Sequence, residues 1–343
     1  MNPNPSTEQQ ILEATRQARK DYGFDDQHDP TRPALLWFQQ SIEGETLFVV
    51  FYTQACRWSR CSGCNLPSAM SRKHIGFELL MAQVDHVFRH PEVRHRRERL
   101  RKVIVSNNGS VLDELTFSST ALMYLIACLN RELPHLEVLT LETRIEYVDE
   151  AELEFIARAL REGETPTHLE LAVGLEVFDD HLRNAVFQKG LELSRLEALC
   201  PYLARYGFHL KCYVMQKPVP DMTDEAAVSD VQRAIDYLSG LAARHGLRIN
   251  LHLNPTYAAR GTPLEKALLQ GRYSPPRLCD IARAALHAEG KPISVFLGLS
   301  DEHLACEGGS FVGPGDAPLV DALEQFNRTQ DFALLRAIAG APP

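Results

Sequence analysis

The sequence predicts an α/β protein built on a parallel sheet with helices packed outside it. Short apolar runs of strand length recur along the chain, each followed by a longer segment whose apolar residues keep helical spacing. Six such β-then-α units follow one another, and parallel neighbours need crossovers of that length. Several of the runs end in glycine, asparagine or proline, which punctuate strand ends.

The elements follow in order. Residues 1–45 read as an N-terminal helical extension, with a helix over roughly Thr7 to Lys20 and then a loop holding Pro30 and Pro33. Leu47 to Tyr52 is a buried strand, followed by a cysteine-rich loop and a helix from about Phe77 to Phe88. Val103 to Val105 is the next strand and ends at Asn108-Gly109; Ser118 to Asn130 is helical. Strand Leu136 to Leu141 precedes helix Asp149 to Arg161, and strand His168 to Val173 ends at Gly174. Helical segments occupy Asp179 to Phe187 and Ser194 to Arg205, and Phe208 to Met215 is a fifth strand. A long helix starts at Asp224, with Thr223 as its N-cap and Asp224 and Glu225 placing negative charge in its first turn. Arg248 to Leu253 ends at Asn254-Pro255, Pro276 to Ala288 is helical, and Ile293 to Leu297 is a last strand. This gives a core over 46–298 and a tail over 299–343 packed on it. An open doubly wound sheet and a partial or complete barrel both fit this order. In either, chemistry gathers at the C-terminal ends of the strands.

Composition narrows the class. A hydrophobic fraction of 45% and a charged fraction of 24% are those of a soluble globular protein. No stretch approaches the roughly 20 apolar residues that span a bilayer, so no membrane partner is expected. The polar start MNPNPSTEQQ lacks a secretory pattern, and the expected address is the cytoplasm. A net charge of −9 argues against a general polyanion binder. The run from Arg89 to Lys102 is the local exception. It reads as a solvated helix and turn leading into the next strand, with a phosphate-contacting patch as the alternative.

Of the eight cysteines, three stand together as Cys56-x4-Cys61-x2-Cys64, directly after the first strand. Cysteine thiolates are the usual ligands of iron–sulfur clusters, and three of them can hold three irons of a cubane and leave the fourth open. Zinc is the rival, but a structural zinc site wants four ligands, commonly in two pairs. No second Cys-x2-Cys pair exists, and His74 lies ten residues beyond Cys64. Cys128, Cys200, Cys212 and Cys279 read as core residues. His303 and Cys306 would make at most half of a metal site.

From about Phe51 to Arg283 the sequence resembles the radical S-adenosylmethionine subunit of archaeosine synthase and its relatives, a group similar to the radical domain of the elongator acetyltransferase subunit. The likeness is carried by the cysteine loop, Asn108-Gly109-Ser110 to Asp113-Glu114, Glu142 to Glu146 (ETRIE), Val173 to Glu176 (VGLE) and Gln188-Lys189-Gly190. Tyr213 to Pro218 (YVMQKP), Asp224-Glu225-Ala226, Asn254-Pro255, Arg260-Gly261-Thr262 and Gly271 to Pro276 (GRYSPP) continue it. The loop has one more residue between its first two cysteines than the usual motif of the superfamily.

The resemblance implies a parallel partial (β/α)6 barrel of radical SAM type, a [4Fe-4S] cluster on Cys56, Cys61 and Cys64, and S-adenosyl-L-methionine as cofactor. It implies reductive cleavage of that cofactor to a 5′-deoxyadenosyl radical, with an external one-electron reductant of flavodoxin or ferredoxin type. The implied reaction is that of a lyase on a lysine-bearing deazaguanine nucleoside of tRNA, and a free amino acid or nucleoside is the alternative substrate. Asn108, Gly109 and Ser110 suit the cofactor as a close-approach glycine between hydrogen-bonding residues. Glu142 and Arg144 suit its amino and carboxylate groups, and Glu176 a ribose hydroxyl or substrate amine. Lys217 and Asn254 are candidate catalytic residues on the substrate side, with Tyr257 and Arg260 behind them. The readings from other classes are a zinc-stapled binding module and an RNA-binding scaffold subunit that uses the Arg89 to Lys102 run.

Overall fold

The computed structural model describes residues 6–340. One eight-stranded sheet runs in chain order: β1 (Leu35–Ser41), β2 (Gly44–Val50), β3 (Leu100–Ser106), β4 (Val138–Thr143), β5 (His168–Glu176), β6 (His209–Gln216), β7 (Ile249–Pro255) and β8 (Ser294–Leu297). β1 and β2 form an antiparallel hairpin, and every later pairing is parallel. The sheet curls into a partial barrel. Its concave face brings together side chains from strands two apart, such as Lys102 of β3 with Glu170 of β5.

Strand alternation separates two environments. On β6, Leu210, Cys212 and Val214 are fully buried against the outer helices, whereas Lys211 and Tyr213 share the inner face with Glu142 of β4. The helices between strands are α2 (Phe77–Arg89), α3 (Pro91–Arg96), α4 (Ser119–Glu132), α5 (Glu150–Leu160), α6 (Leu193–Tyr206), α7 (Asp224–His245), α8 (Pro263–Leu269) and α9 (Leu278–Leu286). α1 (Thr7–Gln17) precedes the sheet, and α10 (Ala317–Thr329) and α11 (Phe332–Ala339) follow it. The long helix α7 begins as the sequence predicts: the Thr223 hydroxyl accepts from Ala226 N at 3.1 Å.

Three parts of the reading need correction. The N-terminal extension is not only helical, because β1 lies within it and Trp37 stacks on Phe48 of β2 at 4.0 Å. The tail holds two helices, and α8 follows β7 where no helix was expected. The segment 179–187 is not a full helix but a single wide π-helical turn, His181–Val186, preceded by the Asp230 carboxylate accepting from Phe178 N and Asp179 N.

The floor of the barrel is ionic. The Lys102 ammonium sits between Glu43 at 2.6 Å and Glu170 at 2.7 Å, while Lys211 donates to Asn250 and Asn250 to Ser294. The Arg89 to Lys102 run forms the end of α2, all of α3 and the start of β3, at the opposite end of the strands from the cysteine loop. Several of its cations are matched within the protein: Arg96 and Arg99 pair with Glu45 at 2.6 and 3.1 Å, and Arg101 with Glu137 at 3.7 Å. No helix among the described residues is long and apolar enough to cross a membrane.

Candidate functional site

The cysteine loop leaves the C-terminal end of β2 and is tied to several neighbours. Cys64 N donates to Cys61 O at 3.1 Å, closing a tight turn around Ser62 and Gly63. Ser62 N donates to Phe187 O at 2.8 Å, and Trp58 Nε1 to Gln188 O at 2.9 Å. Two glycines permit this packing. A Cβ on Gly109 would fall 3.2 Å from Cys56 Cα, and one on Gly190 would fall 2.4 Å from the Trp58 ring.

All three thiols are free and partly buried. Burial pushes the Cys61 thiol up, against the opposing pull of Lys189 and Arg144. Burial pushes Cys64 up to about 12, against Lys20. Thiolates here need a cationic guest, and the lysines and arginine around them suit a net anionic assembly. Among the described residues, the one trio of metal-ligating side chains with all ligand atoms within 4.8 Å is Glu43, Glu170 and His209 at the floor, where Lys102 already supplies the cation. Three free thiols on one loop and the surrounding cations fit a cubane cluster held at three corners.

The other predicted residues gather at the same end of the sheet. Asn108 lies in the left-handed region at φ 54°, and its side chain donates to Leu66 O at 3.4 Å. The Ser110 hydroxyl accepts from Arg144 N at 3.1 Å, which sets the chain direction at the end of β4. The Arg144 guanidinium is 4.3 Å from the Trp58 ring centroid, donates to Lys189 O at 2.9 Å and pairs with Glu146. Desolvation at its partly buried position pushes the Glu142 carboxyl up, while hydrogen bonds from Ser106 and Tyr213 hold it down. Glu176 pairs with Lys189 at 2.8 Å. A Cβ on Gly174 would collide with both of those side chains, at 2.0 and 2.4 Å.

Asn254 crosses over Gly298, where an added Cβ would lie 2.1 Å from its Oδ1 and 2.8 Å from His252 Nε2. Lys217 is held by Asp224 at 2.7 Å and Ser274 at 3.0 Å, so its ammonium is committed to the start of α7. Tyr257 is partly buried, within electrostatic reach of Cys64. Arg260 instead donates outward to Ala305 O. His303 and Cys306 do not form a metal half-site: His303 is exposed, and Cys306 packs with Ala258, Leu264, Ala267 and Tyr273.

Several site groups lie outside the set the sequence singled out. Lys189 sits in a segment that carries the family likeness, yet no spacing rule assigned it a partner. Tyr213 donates to Glu142, and its ring lies tilted against His252 with centroids 4.7 Å apart. Glu302, from the segment after β8, reaches the same chamber, where its charge is felt by Glu142's partner Tyr213 and by Tyr257.

No family model matches the chain. Archaeosine synthase subunit beta of Methanosarcina acetivorans is 27% identical over 313 residues, covering 88% of this chain and 85% of that protein. The protein of the same name from Thermococcus kodakarensis is 23% identical over 304 residues, covering 85% of this chain and 87% of that protein. Among solved structures, the archaeal Elp3 of Methanocaldococcus infernus aligns with a TM-score of 0.50 at 12% identity. That alignment covers 75% of this chain but 59% of the other, so the present chain spans less than two thirds of that structure. By fold this chain is a partial barrel of the radical S-adenosylmethionine type, and by sequence it resembles the radical subunit of archaeosine synthase.

Proposed function

We propose that this chain is a radical S-adenosylmethionine enzyme acting on a modified nucleoside, with a lyase reaction on a lysine-bearing deazaguanine of tRNA as its substrate chemistry. The observation that carries the reading is the set of three free thiols at the strand mouth, ringed by Lys20, Arg144 and Lys189. Cys56, Cys61 and Cys64 would hold the [4Fe-4S] cluster. When bound, the cluster would supply the one-electron chemistry, fed by a flavodoxin- or ferredoxin-type reductant, for reductive cleavage of S-adenosyl-L-methionine.

The chain's own residues position and enclose. Gly109 leaves room beside Cys56, and the Asn108 and Ser110 turn fixes the backbone there. Arg144, stacked on Trp58, presents a fixed positive charge for the carboxylate of the cofactor. Glu176 with Lys189, and Glu142 with Tyr213, offer polar groups for the amino group and ribose hydroxyls. Asn254 faces the substrate side, and Lys217 braces that wall through Asp224.

A second reading, a free amino acid or nucleoside as substrate, is favoured by one observation. Three arginines of the Arg89 to Lys102 run, Arg96, Arg99 and Arg101, are paired with Glu45, Glu92 and Glu137 rather than left for phosphates. The test uses protein purified without oxygen. It should contain about four irons per chain and form 5′-deoxyadenosine under reduction. Cys56→Ala, Cys61→Ala and Cys64→Ala should each lose iron and bring turnover to background, while Cys279→Ser should keep both. Zinc in place of iron, or undiminished turnover in the cysteine variants, overturns the reading. Deazaguanine-bearing tRNA and the corresponding free nucleoside, offered as substrates, separate the two substrate readings.

A further inference from the structure

The segment between α1 and β1 carries a side chain to which the chemistry above gives no role. Lys20 Nζ donates to Cys64 O at 3.2 Å, and Asp21 N donates to Gly261 O at 2.7 Å, so this segment crosses the cysteine loop and the loop after β7. The crossing is tight. Gly261 has φ 74°, and a Cβ there would fall 2.4 Å from Asp21 O and 3.0 Å from Tyr22 Cβ. The Tyr22 ring is held with Lys20 Nζ 5.4 Å from its centroid and Phe24 edge-on at 5.6 Å.

The Tyr22 hydroxyl is buried and has no hydrogen-bond partner. Thr15 is a neighbouring hydroxyl, but it donates to Ile11 O at 2.8 Å and lies outside hydrogen-bonding geometry with the phenol. Leaving a buried hydroxyl unpaired costs about 1–3 kcal/mol, and native proteins rarely keep such a group without a use. The groups within its electrostatic reach are Cys64, Cys56 and Cys61 together. A phenol keeps its proton at neutral pH and donates it, and thiolate and sulfide sulfurs accept.

We propose that Tyr22 Oη donates a hydrogen bond to a sulfur of the cluster held by Cys56, Cys61 and Cys64, and thereby raises its reduction potential. The inference rests on the cluster assignment made above. A donor at a cluster sulfur draws electron density from it and stabilises the reduced state, one of the recognised determinants of these potentials. The residue comes from the N-terminal segment rather than from the barrel, so cluster tuning here depends on a part of the chain outside the strand-and-loop core.

The experiment compares wild-type protein and Tyr22→Phe, both with the cluster loaded anaerobically. Iron content, an electron-paramagnetic-resonance redox titration and the exchangeable-proton couplings of the reduced cluster are read. Tyr22→Phe should keep its iron, lose one exchangeable-proton coupling, and show a reduced-to-oxidised ratio about tenfold lower at the same applied potential, equivalent to ~59 mV for one electron. An unchanged potential with all couplings intact overturns the proposal. Should Tyr22→Phe fail to retain iron, 3-fluorotyrosine at position 22 decides. It keeps the hydroxyl and makes it a stronger donor, so the potential must rise, and an unchanged value overturns the proposal. A wild-type protein that binds no iron defeats the cluster assignment itself, which separates that failure from this one.

Discussion

Burial, with Glu142 and Asp301 nearby, pushes the Glu302 carboxyl up to about 7. Nothing in its local sequence marks Glu302, because the segment after β8 brings it to a chamber built by β4, β6 and β7. The same holds for Tyr22, which the fold brings against the cysteine loop, and for Lys189, which it turns back onto Glu176 at the end of β5. The three cysteines were legible for the opposite reason: their residue type and short spacing define a ligand set before any folding is considered. Glu302 makes stability depend on pH with a definite sign. Its folded pKa lies above the ordinary carboxylate value of about 4.3, so the native state favours the protonated form. That contribution is complete below about pH 4 and is lost as pH rises through about 7. At about 1.4 kcal/mol per pH unit the difference is on the order of 4 kcal/mol at most. Urea unfolding between pH 5 and 8 should therefore show a shallower fall for Glu302→Gln than for wild type. Parallel pH profiles would mean that Glu302 is solvated in the native protein.

Elements buried on both faces declared themselves in the sequence, and half-exposed ones did not. β2 and β3 carry short apolar runs (LFVV and VIV), β7 alternates apolar and polar residues (INLHLN), and the ends of β2 to β7 lie within a few residues of where the sequence puts them. β1 is only half-buried from Leu36 to Gln39, with Leu35 and Gln40 exposed, and lacks the alternation that identifies a strand. The wide turn His181–Val186 was read as a helix because its apolar spacing is helical over that short span, but its continuation is the Gln188-Lys189-Gly190 corner that receives Trp58. That corner yields a controlled prediction. Gly190 and Gly207 both have positive φ, at 67° and 66°, but an added Cβ meets Trp58 only at Gly190, and Gly207 has open space. Gly207→Ala should cost about 1–2 kcal/mol, the backbone strain alone. Gly190→Ala should cost about 1–3 kcal/mol more, because the ring of Trp58 must move off Arg144. Thermal unfolding gives the two costs, and iron retention should fall in Gly190→Ala only. Equal costs in the two variants would show that Trp58 yields freely and does not hold the cysteine loop.

At the scale of the whole molecule, a partial barrel leaves a strand unpaired on one side at each end, and such edges invite pairing with other chains. Here α10 covers β8 by an unusual route. The Asn327 side chain accepts from Leu297 N at 2.7 Å and donates to Leu297 O at 2.9 Å; Gln330 does the same for Val295, at 2.9 and 2.7 Å. Two side-chain amides thus take the places a ninth strand would fill at alternate residues of β8. Asn327 O also accepts from Ile42 N, in the turn of the β1–β2 hairpin, so one residue links both ends of the sheet. This closure was invisible in the sequence because Gly308-Gly309, Gly313-Pro314 and Gly315 precede α10 and read as a loop. Asn327→Ala would leave a buried backbone N–H and C=O of β8 unpaired, at about 1–3 kcal/mol each. Gln330→Ala should cost less, since Gln330 is partly exposed and water can replace it. The double variant should fall short of the sum, because both residues hold the same helix against the same strand. Amide hydrogen exchange localises the effect: Leu297 should lose protection in Asn327→Ala, and Val295 in Gln330→Ala, while the amides of β5 and β6 keep theirs. Exchange at Leu297 that is as slow as in wild type would mean that the edge is protected by burial alone, and that the two amides are incidental to the closing of the barrel.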